Sequence, residues 1–184
     1  MKISRFCLVI SVCLAIIACS SSQLTVSLNV VADAAAAAAV TAPILAASNV
    51  IPTASANLIV TYAGEISAVV VKVDAELATA DSDAVKASTI VADFAAIVVP
   101  SIPGAPANAV ALVNGIANAV TLFITQVQQQ FAGTGAATPA AASSFFEKHK
   151  SWKSSRADRN NLKKAVETAK ATLAKVASYK TTHK

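Results

Sequence analysis

Catalysis and metal binding both require polar side chains that converge. In this chain the residue types that could do so are few and badly placed. Its two histidines, His149 and His183, both fall in a lysine-rich C-terminal stretch, and its three cysteines, Cys7, Cys13 and Cys19, fall within the first nineteen residues. There is no H-E-x-x-H pattern and no paired-cysteine metal motif, so no metal site is expected. Gly133-Thr134-Gly135 does not make a phosphate-cradling glycine loop, because no strand precedes it and the third glycine is missing. Asp33, Glu65 and Asp93 sit within apolar stretches and could be buried acids, but the plainer reading puts each on the solvated side of its helix, where a carboxylate is inert. Serines and threonines are plentiful, yet no motif sets a base beside any of them. The expectation is a non-enzymatic protein with no cofactor.

One constellation does suggest binding. The segment from Phe145 to Arg156, FFEKHKSWKSSR, interleaves Phe145, Phe146 and Trp152 with Lys148, Lys150, Lys153 and Arg156, and Arg159, Lys163 and Lys164 follow closely. Aromatic rings with apolar bodies, alternating with cations on flexible stems, suit an anionic surface such as anionic lipid, lipopolysaccharide or cell wall. Each cation near an anionic bilayer contributes about 1 kcal/mol. The plainer reading is a solubilising tail whose apolar seam packs on the rest of the chain or on a second copy, as a homo-oligomer. The same residue mixture could bind nucleic acid, but the N-terminus makes that partner unexpected.

That N-terminus reads MKISRFCLVISVCLAIIAC. Lys2 and Arg5 precede an apolar run from Phe6 to Ile17, which is too short for the roughly 20 residues that a membrane span requires. The layout is that of a secretory signal. Its ending, Ile16-Ile17-Ala18-Cys19, resembles the lipobox of bacterial lipoproteins, with isoleucine where leucine is usual. The resemblance implies removal of residues 1–18 and lipidation of Cys19. It also implies a membrane anchor in the cell envelope, with Ser20 in keeping with the outer membrane facing the periplasm. An ordinary signal peptide cut near Ala18, with Cys19 incidental, remains the alternative. In either case Cys7 and Cys13 depart with the signal. The closing Thr181-Thr182-His183-Lys184, behind a heptad helix, is also similar to the small murein-linked lipoprotein of enteric bacteria, in which a terminal lysine is joined to the wall. The long Ala/Val region has no counterpart in that protein.

The elements that would carry these features are all helical. Hydrophobic residues make up 55% of the chain and aromatics only 5%, so any core is built from alanine and valine. Charge divides the chain: residues 1–18 carry a net +2, residues 19–144 a net −5 and residues 145–184 a net +8. Apolar residues recur at spacings of three and four over 24–48, 54–79, 83–99 and 106–131. The inward residues expected are Leu24, Leu28, Val31, Ala35, Ala38, Ala42 and Leu45; Ile59, Tyr62, Ile66, Val69 and Val73; Ala87, Ile90, Phe94 and Ile97; and Val113, Ile116, Val120, Phe123, Val127 and Phe131. Pro43 should kink or end the first helix, and Lys72 and Glu76 lie one turn apart for a weak pair. No charge occurs between Phe94 and Phe146. Even so, the polar stripe Asn114, Asn118, Thr121, Thr125 and Gln128 favours an amphipathic helix over a spanning one.

A last helix is expected from about Asp158 to Tyr179, with Leu162, Val166, Ala169, Leu173 and Val176 at heptad spacing. The fold class is therefore all-α: an Ala/Val-rich, four-helix antiparallel bundle with an additional basic C-terminal helix. The organisation expected is a signal (1–18), a polar tether (19–23), the bundle (24–131), a flexible linker (132–144) and a basic helical tail (145–184). The function expected is that of a lipid-anchored scaffold or interaction module of the envelope. The alternative is a membrane-active helical protein, or a carrier of small apolar ligands.

Overall fold

The computed structural model describes residues 21–79, 81, 83–102, 104–132 and 156–182. The signal, Cys19 and residues 133–155 lie outside the described residues. Within them every regular element is a helix: α1 Ser21–Ala47, α2 Thr53–Glu76, α3 Asp83–Ala95, α4 Ala107–Ala132 and α5 Arg156–Thr182. Helix α1 begins at Ser21, so three residues of the expected tether are helical instead. It also continues through Pro43 rather than ending there. Pro43 forfeits one backbone hydrogen bond, the one an N–H at that position would give the residue 39 carbonyl, and the helix carries on for four more residues.

The end of α1 shows how local sequence fixes a turn. Asn49 takes the left-handed conformation with φ 57°, which asparagine tolerates better than most residues. The Asn49 N–H donates to the Ala46 carbonyl at 3.0 Å and the Val50 N–H to the Leu45 carbonyl at 2.8 Å. Those two bonds make a Schellman closure and satisfy the last carbonyls of the helix. Pro52, with φ −61° and ψ 144°, then opens α2. Helix α3 stops at Ala95, short of the expected residue 99. Its last turn tightens, with the Ile97 N–H donating to the Phe94 carbonyl at 3.2 Å, and Val99 precedes Pro100, a position that disfavours helix.

Helix α1 packs against three others, α2, α5 and α4, while α2 also packs on α5 and the shorter α3 touches α2 and α4. Beyond Leu24, Leu28 and Val31 at its start, the side chains α1 turns inward are small: Ala32, Ala35, Ala38, Ala39 and Ala42 are all buried. Larger residues come from its neighbours, among them Ile59 and Ile66 from α2, Ile116 and Phe123 from α4, and Leu162 from α5. Phe94 and Phe123 meet edge to face with ring centroids 5.3 Å apart and an interplanar angle of 64°, a geometry the ring quadrupoles favour. Lys72 reaches across to Asp93 of α3 at 3.5 Å, rather than to Glu76 on its own helix.

Helix α5 buries Leu162, Ala165, Val166, Ala169, Thr172 and Val176 against α1 and α2. It contributes to the core and is not a free tail. Its direction follows from pairs of contacts. Thr25 meets Asp158 and Asp33 meets Lys164, so α1 and α5 run the same way. Asn57 meets Tyr179 and Gly64 meets Val176, so α2 runs opposite to α5. At Gly64 the backbones come so close that an added Cβ would lie 3.1 Å from Val176 Cγ1.

Two consequences can be measured. Gly64→Leu should lower unfolding free energy by about 2 kcal/mol, read by urea denaturation, because the new side chain has to displace α5. The buried Tyr62 hydroxyl is held above its ordinary pKa of 10.0, first by burial and then by the Glu65 carboxylate. Its contribution to stability is therefore complete below pH 10.0 and is lost as pH rises through the folded value. Tyr62→Phe should flatten the alkaline fall in stability, which thermal melts between pH 9 and 11 would detect.

Candidate functional site

The sequence analysis placed binding in the cations around residues 148–164. Lys148, Lys150, Trp152 and Lys153 lie outside the described residues. Arg156, Arg159, Lys163 and Lys164 are all exposed on the first turns of α5, but they do not share one face. Lys164 turns toward α1 and pairs with Asp33 at 3.7 Å. Lys163 turns away from it, with Glu167 at 3.8 Å. Both pairs are solvent-exposed, and such pairs contribute at most about 1 kcal/mol. Arg159, Lys163 and Lys170 line an open groove of about 370 Å³ against Asp74 of α2, floored by Leu162 and Val166. Asp74 and Glu167 bring negative charge into that groove. It is thus a mixed-charge surface, without the single sign that would make an anion site.

The residue that sequence reading missed is Asp158. Its side chain is buried, 1% exposed, in a core made mostly of Ala, Val, Ile and Leu. The Thr25 hydroxyl, itself buried, donates to Asp158 Oδ1 at 3.3 Å. Asp158 stands in the first turn of α5, where unpaired backbone N–H groups and the helix dipole favour a carboxylate. One turn along α1, the Asn29 amide donates to the Thr25 carbonyl at 3.2 Å. Thr25, Asn29 and Asp33 thus form a polar row at four-residue spacing along the edge of α1 that faces the start of α5. A capping acid was recognisable at residue 158 in the sequence. Its burial was not, because burial depends on α1 lying beside it.

The three acids flagged in the sequence do not converge. Asp33 and Glu65 are exposed and Asp93 is partly so. Among the described residues, no group of three or more His, Cys, Asp or Glu side chains could hold a metal ion. Three helices, spanning Gln23–Ala47, Thr53–Glu76 and Ala107–Gln128, are long and apolar enough to cross a membrane by length and composition. The last of these meets that measure despite its polar stripe. No protein-family model, curated protein or solved structure matches the chain.

The Thr25–Asp158 contact gives a direct expectation. Asp158→Ala should cost about 1–2 kcal/mol. A double-mutant cycle with Thr25→Val in urea denaturation should return a coupling of about 1 kcal/mol. Strict additivity would mean the hydroxyl and the carboxylate stabilise the fold separately.

Proposed function

We propose that the protein is a lipid-anchored, non-enzymatic module of the cell envelope, tethered through Cys19, whose basic segment contacts an anionic surface. The arrangement we read is a helical bundle in which sequence neighbours run antiparallel and α5 joins α1 in parallel. The observation that supports this function is the shared direction of α1 and α5. Ser21 and Arg156 begin adjacent helices at one end of the protein; in sequence, Cys19 lies two residues before the first, and Lys148, Lys150, Trp152 and Lys153 lie within eight residues before the second. A lipid at Cys19 would hold the start of α5, and with it the cations close by in sequence, near the membrane. Asp74 and Glu76 close α2 and Asp74 adjoins Arg159, so the net attraction depends on the cations ahead of α5.

A second reading is insertion into the bilayer, favoured by the three helices of spanning length. Dye leakage from vesicles would identify it.

Removal of α5 would strip the core, so the cations are better tested by substitution. Lys148, Lys150, Lys153 and Arg156 should be changed together to glutamine in the chain beginning at Ser20. Binding to anionic vesicles or cell-wall sacculi should fall at least about tenfold, and raised salt should weaken the unsubstituted chain similarly. Separately, Cys19→Ser should abolish fatty-acid labelling in a bacterial host and release the protein from membranes. Salt-independent binding that survives the four substitutions would refute the surface contact; labelling that survives Cys19→Ser would refute the anchor.

A further inference from the structure

Helix α1 is enclosed on most sides, and what it leaves open is one narrow stripe. The exposed positions are 26, 30, 33, 37, 40, 44 and 47, alternating in steps of four and three. They hold Val26, Val30, Asp33, Ala37, Val40, Ile44 and Ala47, so a single residue in the row is charged. Val26 is 49% exposed and Ile44 is 57% exposed. Branched aliphatic residues repeated along one water-facing stripe contrast with α4, where exposed Val110 and Leu122 are interspersed with Asn114, Asn118, Thr121, Thr125 and Gln128. The one charge, Asp33, is met by Lys164 from α5 at 3.7 Å, so the stripe presents no unanswered charge to an apolar partner.

We infer that this stripe of α1 is a docking face for the bilayer surface, so that α1 lies along the membrane with Val26, Val30, Val40 and Ile44 in the outer acyl region. The inference takes the membrane as partner from the reading above, but it rests on a different face. Two observations select lipid over a second copy of the chain. Cys19 precedes the helix by only one intervening residue, so an anchor there delivers the start of the stripe to the interface. The stripe from Val26 to Ile44 is about 27 Å long and one helix wide, which makes about 270 Å² against the roughly 800 Å² per partner of a stable protein interface.

The test uses the full chain reconstituted into zwitterionic phosphatidylcholine vesicles, which removes the anionic attraction from the result. In a Trp152→Phe background, single tryptophans are introduced as Val30→Trp, Ile44→Trp or Ala68→Trp, the last on the exposed face of α2 between Glu65 and Lys72. Val40→Trp serves if either α1 variant melts differently from the parent. Bromine on outer acyl carbons should quench tryptophan at 30 and 44 at least twice as strongly as at 68. Equal quenching at all three positions overturns the inference. So does strongest quenching by bromine at the bilayer centre, which would mean insertion. Protection from aqueous acrylamide without lipid, accompanied by a doubled mass in sedimentation, also overturns it and assigns the stripe to a second copy. None of these failures would alter the salt dependence expected on anionic vesicles, so the two readings fail separately.

Discussion

The fold depends on how closely helices can approach α1. A helix that contacts three others leaves little radial space for its own side chains, and interaxial distances near the lower end of the usual 8–10 Å require small residues at the contacts. Helix α1 meets that condition with Ala32, Ala35, Ala38, Ala39 and Ala42, all buried. Alanine also loses no side-chain entropy on folding into a helix, so the central element is stabilised locally as well as by packing. The apolar area that alanine lacks is supplied by Ile59, Ile66, Ile116, Phe123 and Leu162 from the surrounding helices. The same economy recurs once elsewhere, where Gly64 admits Val176 between α2 and α5.

Small side chains bring helices close but do not by themselves choose among alignments. The seam of α5 repeats every seven residues, so apolar contact alone would tolerate slips and even reversal. Polar contacts remove that freedom. Asp158 is the single buried carboxylate among the described residues, and any register that moved it from Thr25 and the adjoining α1 edge would set a charge against alanine and valine. Desolvating an unaccompanied carboxylate costs several kcal/mol, more than the surface pair Asp33–Lys164 contributes. The buried contact therefore favours this direction of α5, and the surface pair Asp33–Lys164 follows about two turns further on. This direction brings the start of α5 beside the start of α1, the geometric premise of the function we propose.

Much of this was readable from residue spacing because amphipathic periodicity is a property of each helix alone. The inward faces of α1 to α4 follow it closely: Leu24 through Ala42, Ile59 through Val73, Ala87 through Phe94, and Val113 through Val127 are buried. Leu45 and Ile97 are only partly so, because each sits where its helix ends and coverage thins. What spacing could not supply were relations between helices. The heptad seam of α5 was visible, but its partner was not, and strong positive charge on three of its sides suggested a tail. In the structure those lysines simply occupy the solvent side of a packed helix. Pro43 was expected to kink or end α1, and the helix does not end there but runs four residues further. The binding cations were legible as composition, but α5 splits them, directing Lys163 and Lys164 to different neighbours.

Hydropathy alone ranks α1, α2 and α4 together, since each is long and apolar enough to cross a bilayer. Packing separates them. Most of the apolar surface of α2 is spent on its neighbours, and its outer face carries Glu65 and Lys72. Helix α4 mixes amides and hydroxyls with Val110 and Leu122 on its exposed side, so its outer face is only partly apolar. Helix α1 alone combines a fully used inner surface with an outer stripe of valine and isoleucine, and it is also the helix that follows Cys19. Alanine-rich packing and surface apolarity are thus linked in one element. Leu24, Leu28 and Val31 fill the core near the start of α1, buried alanines allow close approach along the rest of it, and Val26, Val30, Val40 and Ile44 stand on its outer side.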